Sequence, residues 1–293
     1  MATAFKTQTG GFPIGFRRGW SDWQRNLEGL TKWAKSEGFQ LLDLGSDADS
    51  GAEKVVEAGL SVGSADLKSW SGLISHDPAK REEALEANAD YIDACSAHGI
   101  SNFFVVMLPE DPSKPRAENF EAMVAGSKAL APLLEKYGAK LVIEGWPGPG
   151  ALACTPETLR ALFDQVPSAA MGINYDPSHL LRMGIDPIRF VKEFSGRIYH
   201  VHGKDTEILT DRLYDLGTEQ PPTFAPGIDF GGAHWRYTIP GDGHVAWTQA
   251  FEVLAEAGYQ GGVSIELEDA NYNGSEVGEK NGLLKGATFL SEH

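Results

Sequence analysis

The chain is poor in cysteine, in positive charge and in long apolar runs, and each shortage closes off a class of function. Two cysteines, Cys95 and Cys154, occur in 293 residues, and neither belongs to a CxxC pair. A disulfide framework is excluded, and a reduced, cytoplasmic setting is the expectation. Lys and Arg number 25 against 41 Asp and Glu, a formal charge of −16 at pH 7. Such a field repels phosphate backbones and anionic surfaces, so neither nucleic acid nor membrane is an expected partner. No run of about 18 apolar residues is long enough to span a bilayer. The opening MATAFKTQTGGFP lacks the apolar core of a signal peptide. What remains is ample material for a core. Hydrophobic residues make up 42% and aromatics 10%, which excludes global disorder.

Short apolar runs alternate with amphipathic stretches along the whole chain. Residues 11–16, 39–45, 60–65, 101–108, 140–145, 170–176, 197–203 and 261–267 read as strands. Between them, Ser21 opens a helix through Trp33, and Asp77-Pro78 opens a long one to about His98, with Pro tolerated in the first turn. Thr155-Pro156 starts another, whose Leu159, Leu162, Phe163 and Val166 fall at i, i+3, i+4 and i+7. Eight strands alternating with helices make an α/β chain with a parallel sheet. A doubly wound sheet is one arrangement. Eight regular units in about 270 residues match a closed (β/α)8 barrel better. No linker rich in Pro, Gly or Ser divides the chain, so residues 1–293 read as a single domain.

One connection is far longer than the rest. Residues 203–244, after the seventh strand, show no helical period and are crowded with Pro, Gly and aromatics. Tyr214, Phe224, Phe230, Trp235 and Tyr237 argue against disorder there. The expectation is a lid-like insertion covering the C-terminal mouth of the barrel.

The chemistry concentrates at strand ends. In RIYHVHGKD, His200, His202 and Lys204 recur at every second position and share one strand face. The fifth, sixth, seventh and eighth strands finish at Glu144, Asp176, His202 and Glu266. Taken singly, these are solvated glutamates, a turn-forming aspartate and a satisfied core histidine. Four coinciding at consecutive strand ends point instead to a metal at the barrel mouth. Three carboxylates and one imidazole suit one divalent ion, Mn2+ first, with Mg2+ or Co2+ as alternatives.

DPSHL after the sixth strand, HVHGKD in the seventh and SIELED in the eighth resemble the xylose isomerase-like TIM barrel superfamily. That group includes sugar isomerases and epimerases, inosose dehydratases and an apurinic endonuclease branch. PGDGHVAW and EAGYQGGVSIE are similar to the sugar isomerase/epimerase branch. The resemblance implies that Glu144, Asp176, His202 and Glu266 hold the metal, that Glu144 and Glu266 also move the proton, and that His179 contacts substrate. Four further substrate contacts are expected from position. Lys204 polarises an oxygen or pairs with a carboxylate, His234 and Arg236 lie in the insertion, and Trp146 offers a ring to stack on a sugar.

The expected function is a metal-dependent sugar isomerase or epimerase that removes a proton next to a carbonyl. With no GxGxxG, P-loop or basic cluster, an unphosphorylated sugar or keto-sugar is favoured as substrate. A lyase using the same site, inosose dehydratase-like or cleaving 3-keto-glycosides, is the alternative, because the long insertion and the WPGPG after Glu144 suit a bulkier substrate. A non-catalytic subunit of a larger complex, or an apurinic endonuclease, is less favoured. A homo-oligomer is the expected assembly, with a hetero-oligomer as the alternative.

Overall fold

The computed structural model describes residues 3–293. The chain runs β1 (Ile14–Arg17), α1 (Asp22–Arg25), α2 (Leu27–Glu37), β2 (Leu41–Leu44), α3 (Ala48–Glu57), β3 (Ser61–Asp66), α4 (Trp70–Leu73), α5 (Pro78–Ser96), β4 (Asn102–Val106), α6 (Arg116–Lys136), β5 (Lys140–Glu144), α7 (Pro156–Gln165) and β6 (Met171–Tyr175). It continues through α8 (Pro177–Arg182), α9 (Pro187–Phe194), β7 (Ile198–Gly203), β8 (Asp205–Ile208), α10 (Thr210–Leu216), β9 (Trp235–Thr238), α11 (Trp247–Glu256), β10 (Val263–Ile265) and α12 (Glu276–Ser291). Eight strands close into a barrel in the order β1-β10-β7-β6-β5-β4-β3-β2. The register is parallel, with Val263 between Ile14 and Val201, and Leu141 between Phe103 and Met171.

The helices begin where capping chemistry directs. Asp77 caps α5 on the Ala79 amide, and Thr155 caps α7 in a reciprocal box with Thr158, each followed by Pro in the first turn. The helix expected from Ser21 to Trp33 is broken at Asn26. That residue caps the Gly29 amide and starts α2 anew, and α2 then runs to Glu37 before left-handed Gly38.

Contacts group the chain into two compact units: residues up to Leu42 with 176–193 and 201–293, and residues 43–175 with 194–200. In the first, Phe16, Trp23, Trp33 and Phe39 form a chain of edge-on rings with centroids 4.9–5.8 Å apart. Rings of this size dominate the area that a core removes from water. In the second, Asp43 is fully buried at the third residue of β2. Its Oδ2 lies 2.7 Å from His200 Nε2, and its Oδ1 accepts the Ser64 amide at 3.0 Å. Charge at that depth persists only when hydrogen-bonded.

Two stretches differ from the sequence reading. The insertion is not structureless: β8 and β9 form an antiparallel ribbon, with Asp205 opposite Thr238 and Ile208 opposite Trp235, and α10 lies between them. Helix α12 was not anticipated. Its Gly282 and Gly286 weaken helical propensity, yet a Cβ at Gly282 would sit 2.9 Å from Tyr272, so close packing demands the missing side chain. Among the described residues, no helix is long and apolar enough to cross a membrane.

Candidate active site

Strand β10 lies between β1 and β7 and pairs Ser264 with His202, so Glu266 emerges just past the paired residues. His202 is fully buried, with Nδ1 3.5 Å from Glu266 Oε2 and 4.0 Å from Asp176 Oδ2. The DPSH sequence explains the third partner. Asp176 is the N-cap of α8, and its Oδ1 accepts the Ser178 amide at 2.9 Å and the Ser178 hydroxyl at 2.6 Å. Capping fixes that carboxylate with Oδ2 towards His202. One helical turn on, His179 brings Nε2 to 3.4 Å from the same Oδ2.

Lys204 follows the last residue of β7 and is 1% exposed. Its ammonium pairs with Glu266 Oε2, and lies 3.0 Å from Glu268 Oε2 and 3.3 Å from Asp176 Oδ2. A buried ammonium is tolerable because three carboxylates surround it. Arg17, at the end of β1, adds a second cation 3.4 Å from Glu266 Oε1. Burial alone would raise the Glu266 carboxyl. Lys204, His202 and Arg17 outweigh it and hold the group well below the usual carboxylate range. Glu266 is therefore held as the carboxylate.

Glu144, the last residue of β5, belongs to the second unit. It is 4% exposed, and its Oε2 accepts from Asn174 Nδ2 at 2.8 Å, its register partner on β6. Asp176, His202 and Glu266, all in the first unit, each offer a ligand atom, and these lie within 4.8 Å of one another. Two carboxylates gathered so closely beside an imidazole call for positive charge. An oxygen-rich donor set with one imidazole fits a divalent cation.

The remaining expected contacts fall as follows. Arg236 donates from Nε to Glu207 Oε2 at 2.6 Å and from Nη1 to Asp269 Oδ1 at 3.4 Å, bracing the ribbon. His234 receives the Leu209 amide on its carbonyl at 2.9 Å. Trp146 lies over Gly148, where a Cβ would come within 1.7 Å of the ring. His200, two residues before His202, makes the hydrogen bond to Asp43.

Four polar residues were not singled out from the sequence as site residues. Arg17 and Asp43 each close or nearly close an apolar run, the same signal that marked Glu144, and could have been found by it. Arg182 and Tyr237 had no such signal. They meet at 2.7 Å across 55 residues, one on a short helix and the other inside the insertion.

Comparison with known proteins bears on the fold and the family. An inosose dehydratase from Bacillus anthracis is 28% identical over 171 residues, 58% of this chain and 54% of that protein. An uncharacterised protein of Bacillus subtilis is 38% identical over 120 residues, 40% of this chain and 37% of the other. The chain spans about half the length of the inosose dehydratases it matches. Among solved structures, 3-keto-D-glucoside 4-epimerase from E. coli superposes with a TM-score of 0.70 at 14% identity, covering 95% of this chain and 98% of that one. D-psicose 3-epimerase gives 0.69 at 14%, covering 94% and 97%. The IolI protein, solved with a zinc atom, gives 0.66 at 17%, covering 95% of each. These likenesses establish the fold. A family model for the xylose isomerase-like TIM barrel matches residues 14–293, and the chain belongs to that family.

Proposed function

We propose that the protein is a divalent-metal-dependent sugar isomerase or epimerase acting on an unphosphorylated sugar or keto-sugar. The observation that carries the reading is the gathering of the half-buried Glu266 with the buried Asp176 and His202; Glu144, at the end of β5, would complete the set. These four would hold the ion, Mn2+ first, with Mg2+ or Co2+ in its place. When bound, it supplies Lewis acidity towards a carbonyl oxygen.

The chain's own groups do the rest. Glu266, kept ionised by its cationic neighbours, takes the proton from the carbon next to the carbonyl. Glu144 returns a proton to the neighbouring carbon or the opposite face. Lys204 offsets the negative charge that develops on the substrate oxygen, and His179 contacts a neighbouring oxygen. His234, Arg236 and Trp146 would contact more distant parts of the substrate. The insertion at 203–244 acts as a cover, the setting is cytoplasmic, and the working assembly is a homo-oligomer in one barrel domain per chain.

A second reading keeps the same proton abstraction but lets a β-substituent leave, giving elimination. The inosose dehydratases among the sequence relatives favour it.

The two are separated by proton NMR in D2O, using metal-stripped and Mn2+-reconstituted protein against free ketoses, inososes and 3-keto-glycosides. Metal-dependent deuterium entry next to the carbonyl with a new epimer or isomer is the expected result. A vinylic proton with a released leaving group would establish the lyase instead. No exchange with any substrate while metal stays bound would count against both.

A further inference from the structure

The insertion places one aromatic hydroxyl among the residues around Lys204. Tyr237, on β9, is 4% exposed, its ring lies 4.6 Å from the Lys204 ammonium, and it meets the His179 imidazole edge-on at 5.4 Å. The hydroxyl oxygen is 2.7 Å from His179 Nδ1 and 2.7 Å from Arg182 Nη1. The Arg182 guanidinium is itself held 4.5 Å above the Trp235 ring.

The directions of these bonds follow from what each group can give. A guanidinium only donates, so Arg182 fills a lone pair of the phenol oxygen. The phenol O–H then needs an acceptor, and His179 Nδ1 is the one in reach among the described residues. Burial pushes the Tyr237 phenol up from its ordinary value, which keeps that proton in place. An imidazole that accepts at Nδ1 carries its own proton on Nε2.

The other side of the ring agrees. His179 Nε2 faces Asp176 Oδ2 at 3.4 Å, an acceptor for an N–H. Lys204 Nζ lies 3.5 Å from the same nitrogen. Its three protons, however, have carboxylate oxygens of Glu266, Glu268 and Asp176 to go to, so none requires a lone pair on His179.

We propose that Tyr237, supplied by the insertion and oriented by Arg182, is a positioning residue that holds His179 as its neutral Nε2–H tautomer. His179 then presents a proton, and not a lone pair, to an oxygen in the site. It acts as a hydrogen-bond donor to a sugar hydroxyl or a departing oxygen, and it is not a fifth ligand for a cation. The chemical role of that donor rests on the keto-sugar reading above; the tautomer does not.

The test is long-range proton–nitrogen correlation NMR of the full chain labelled with 15N-histidine, in stripped and Mg2+-loaded form, with His179→Asn used to assign the signals. A pyrrole-type Nε2 and a pyridine-type Nδ1 on His179 are expected in the wild type. Tyr237→Phe should replace that signature with a tautomer mixture while its circular dichroism stays native. On a substrate found in the D2O survey, its kcat should fall at least about tenfold with a smaller change in KM. An Nδ1-protonated or doubly protonated His179 in the wild type would overturn the proposal, as would a Tyr237→Phe protein that keeps the wild-type signature. Because the wild-type spectrum needs neither variant nor substrate, it decides the tautomer even if the survey finds no reaction. An active wild type with the wrong tautomer would sink this inference alone.

Discussion

Replacing Asp205 with alanine should loosen the base of the insertion, whose ribbon carries Tyr237. The Asp205 side chain is buried and accepts four N–H groups. Thr206 and Val245 amides reach Oδ1 at 2.8 and 2.9 Å, while Trp247 Nε1 and the Gly241 amide reach Oδ2 at 3.1 and 3.3 Å. Gly243 passes so near that a Cβ would stand 2.2 Å from Oδ1, and Gly241 turns at φ +97, so the PGDGH sequence is a cradle shaped around this carboxylate. Burial outweighs the four donors and leaves the Asp205 carboxyl above its ordinary value. The charge itself therefore adds no stability, and the hydrogen bonds carry the stabilisation. Alanine leaves four buried donors without an acceptor, at roughly 1 kcal/mol each after water re-enters, or about 4 kcal/mol in all. For a chain of this size that corresponds to a Tm lower by on the order of 8 °C. Asparagine keeps the shape and two of the acceptor contacts, and should cost about half as much. Denaturant titration gives the energies, and amide exchange at Gly241 and Val245 locates the effect. An Asp205→Ala protein within about 1 kcal/mol of the wild type, or one with unchanged exchange at those amides, would refute the reasoning.

Two other perturbations test the charged interior. Glu279 Oε2 collects the Ser21 hydroxyl at 2.6 Å, Trp23 Nε1 at 2.6 Å and Gln24 Nε2 at 2.9 Å, tying α12 to α1. Burial raises this carboxyl, but the three hydrogen bonds outweigh burial and keep it below 4.5. A depressed folded-state pKa stabilises above the unfolded value, and that benefit is lost as pH falls. Glu279→Gln should thus be less stable than the wild type at pH 7, with the gap closing in acid below 4.5; a gap that widens in acid contradicts the assignment. Lys204→Met leaves the Asp176, Glu266 and Glu268 carboxylates facing one another. The metal-stripped protein should lose about 3–5 kcal/mol, and added Mg2+ should recover part of it. Differential scanning calorimetry with and without chelator checks this, and an unchanged stripped Tm would show that the ammonium is not what balances these acids.

Glu144, Asp176, His202 and Glu266 stand out in the sequence because each closes an apolar run, and the ends of parallel barrel strands are where such folds carry their sites; the structure brings Asp176, His202 and Glu266 together. The alternation of strand and helix was legible for the same reason: burial on both faces makes the strands continuous in apolar character. The chain's irregular parts resisted. Asp205 and Thr238 pair across 32 intervening positions that carry no period, so the β8–β9 ribbon has no local trace. Tyr237 reaches His179 over a separation of 58 residues, a contact specified by packing alone. Helix α12 was hidden by Gly282, where packing against Tyr272 overrides propensity.

The carboxylate of Asp205 grips both feet of the insertion, since Thr206 belongs to its first residues, Gly241 to its return, and Val245 and Trp247 to the chain just beyond it. A segment clasped at its base in this way is a cassette. Lengthening or shortening residues 209–234 changes the entropy of closure by only about 0.6 kcal/mol for each doubling, while the clasp and the barrel beneath it stay as they are. The barrel's strand ends can therefore stay as they are while the length and sequence of the cassette change.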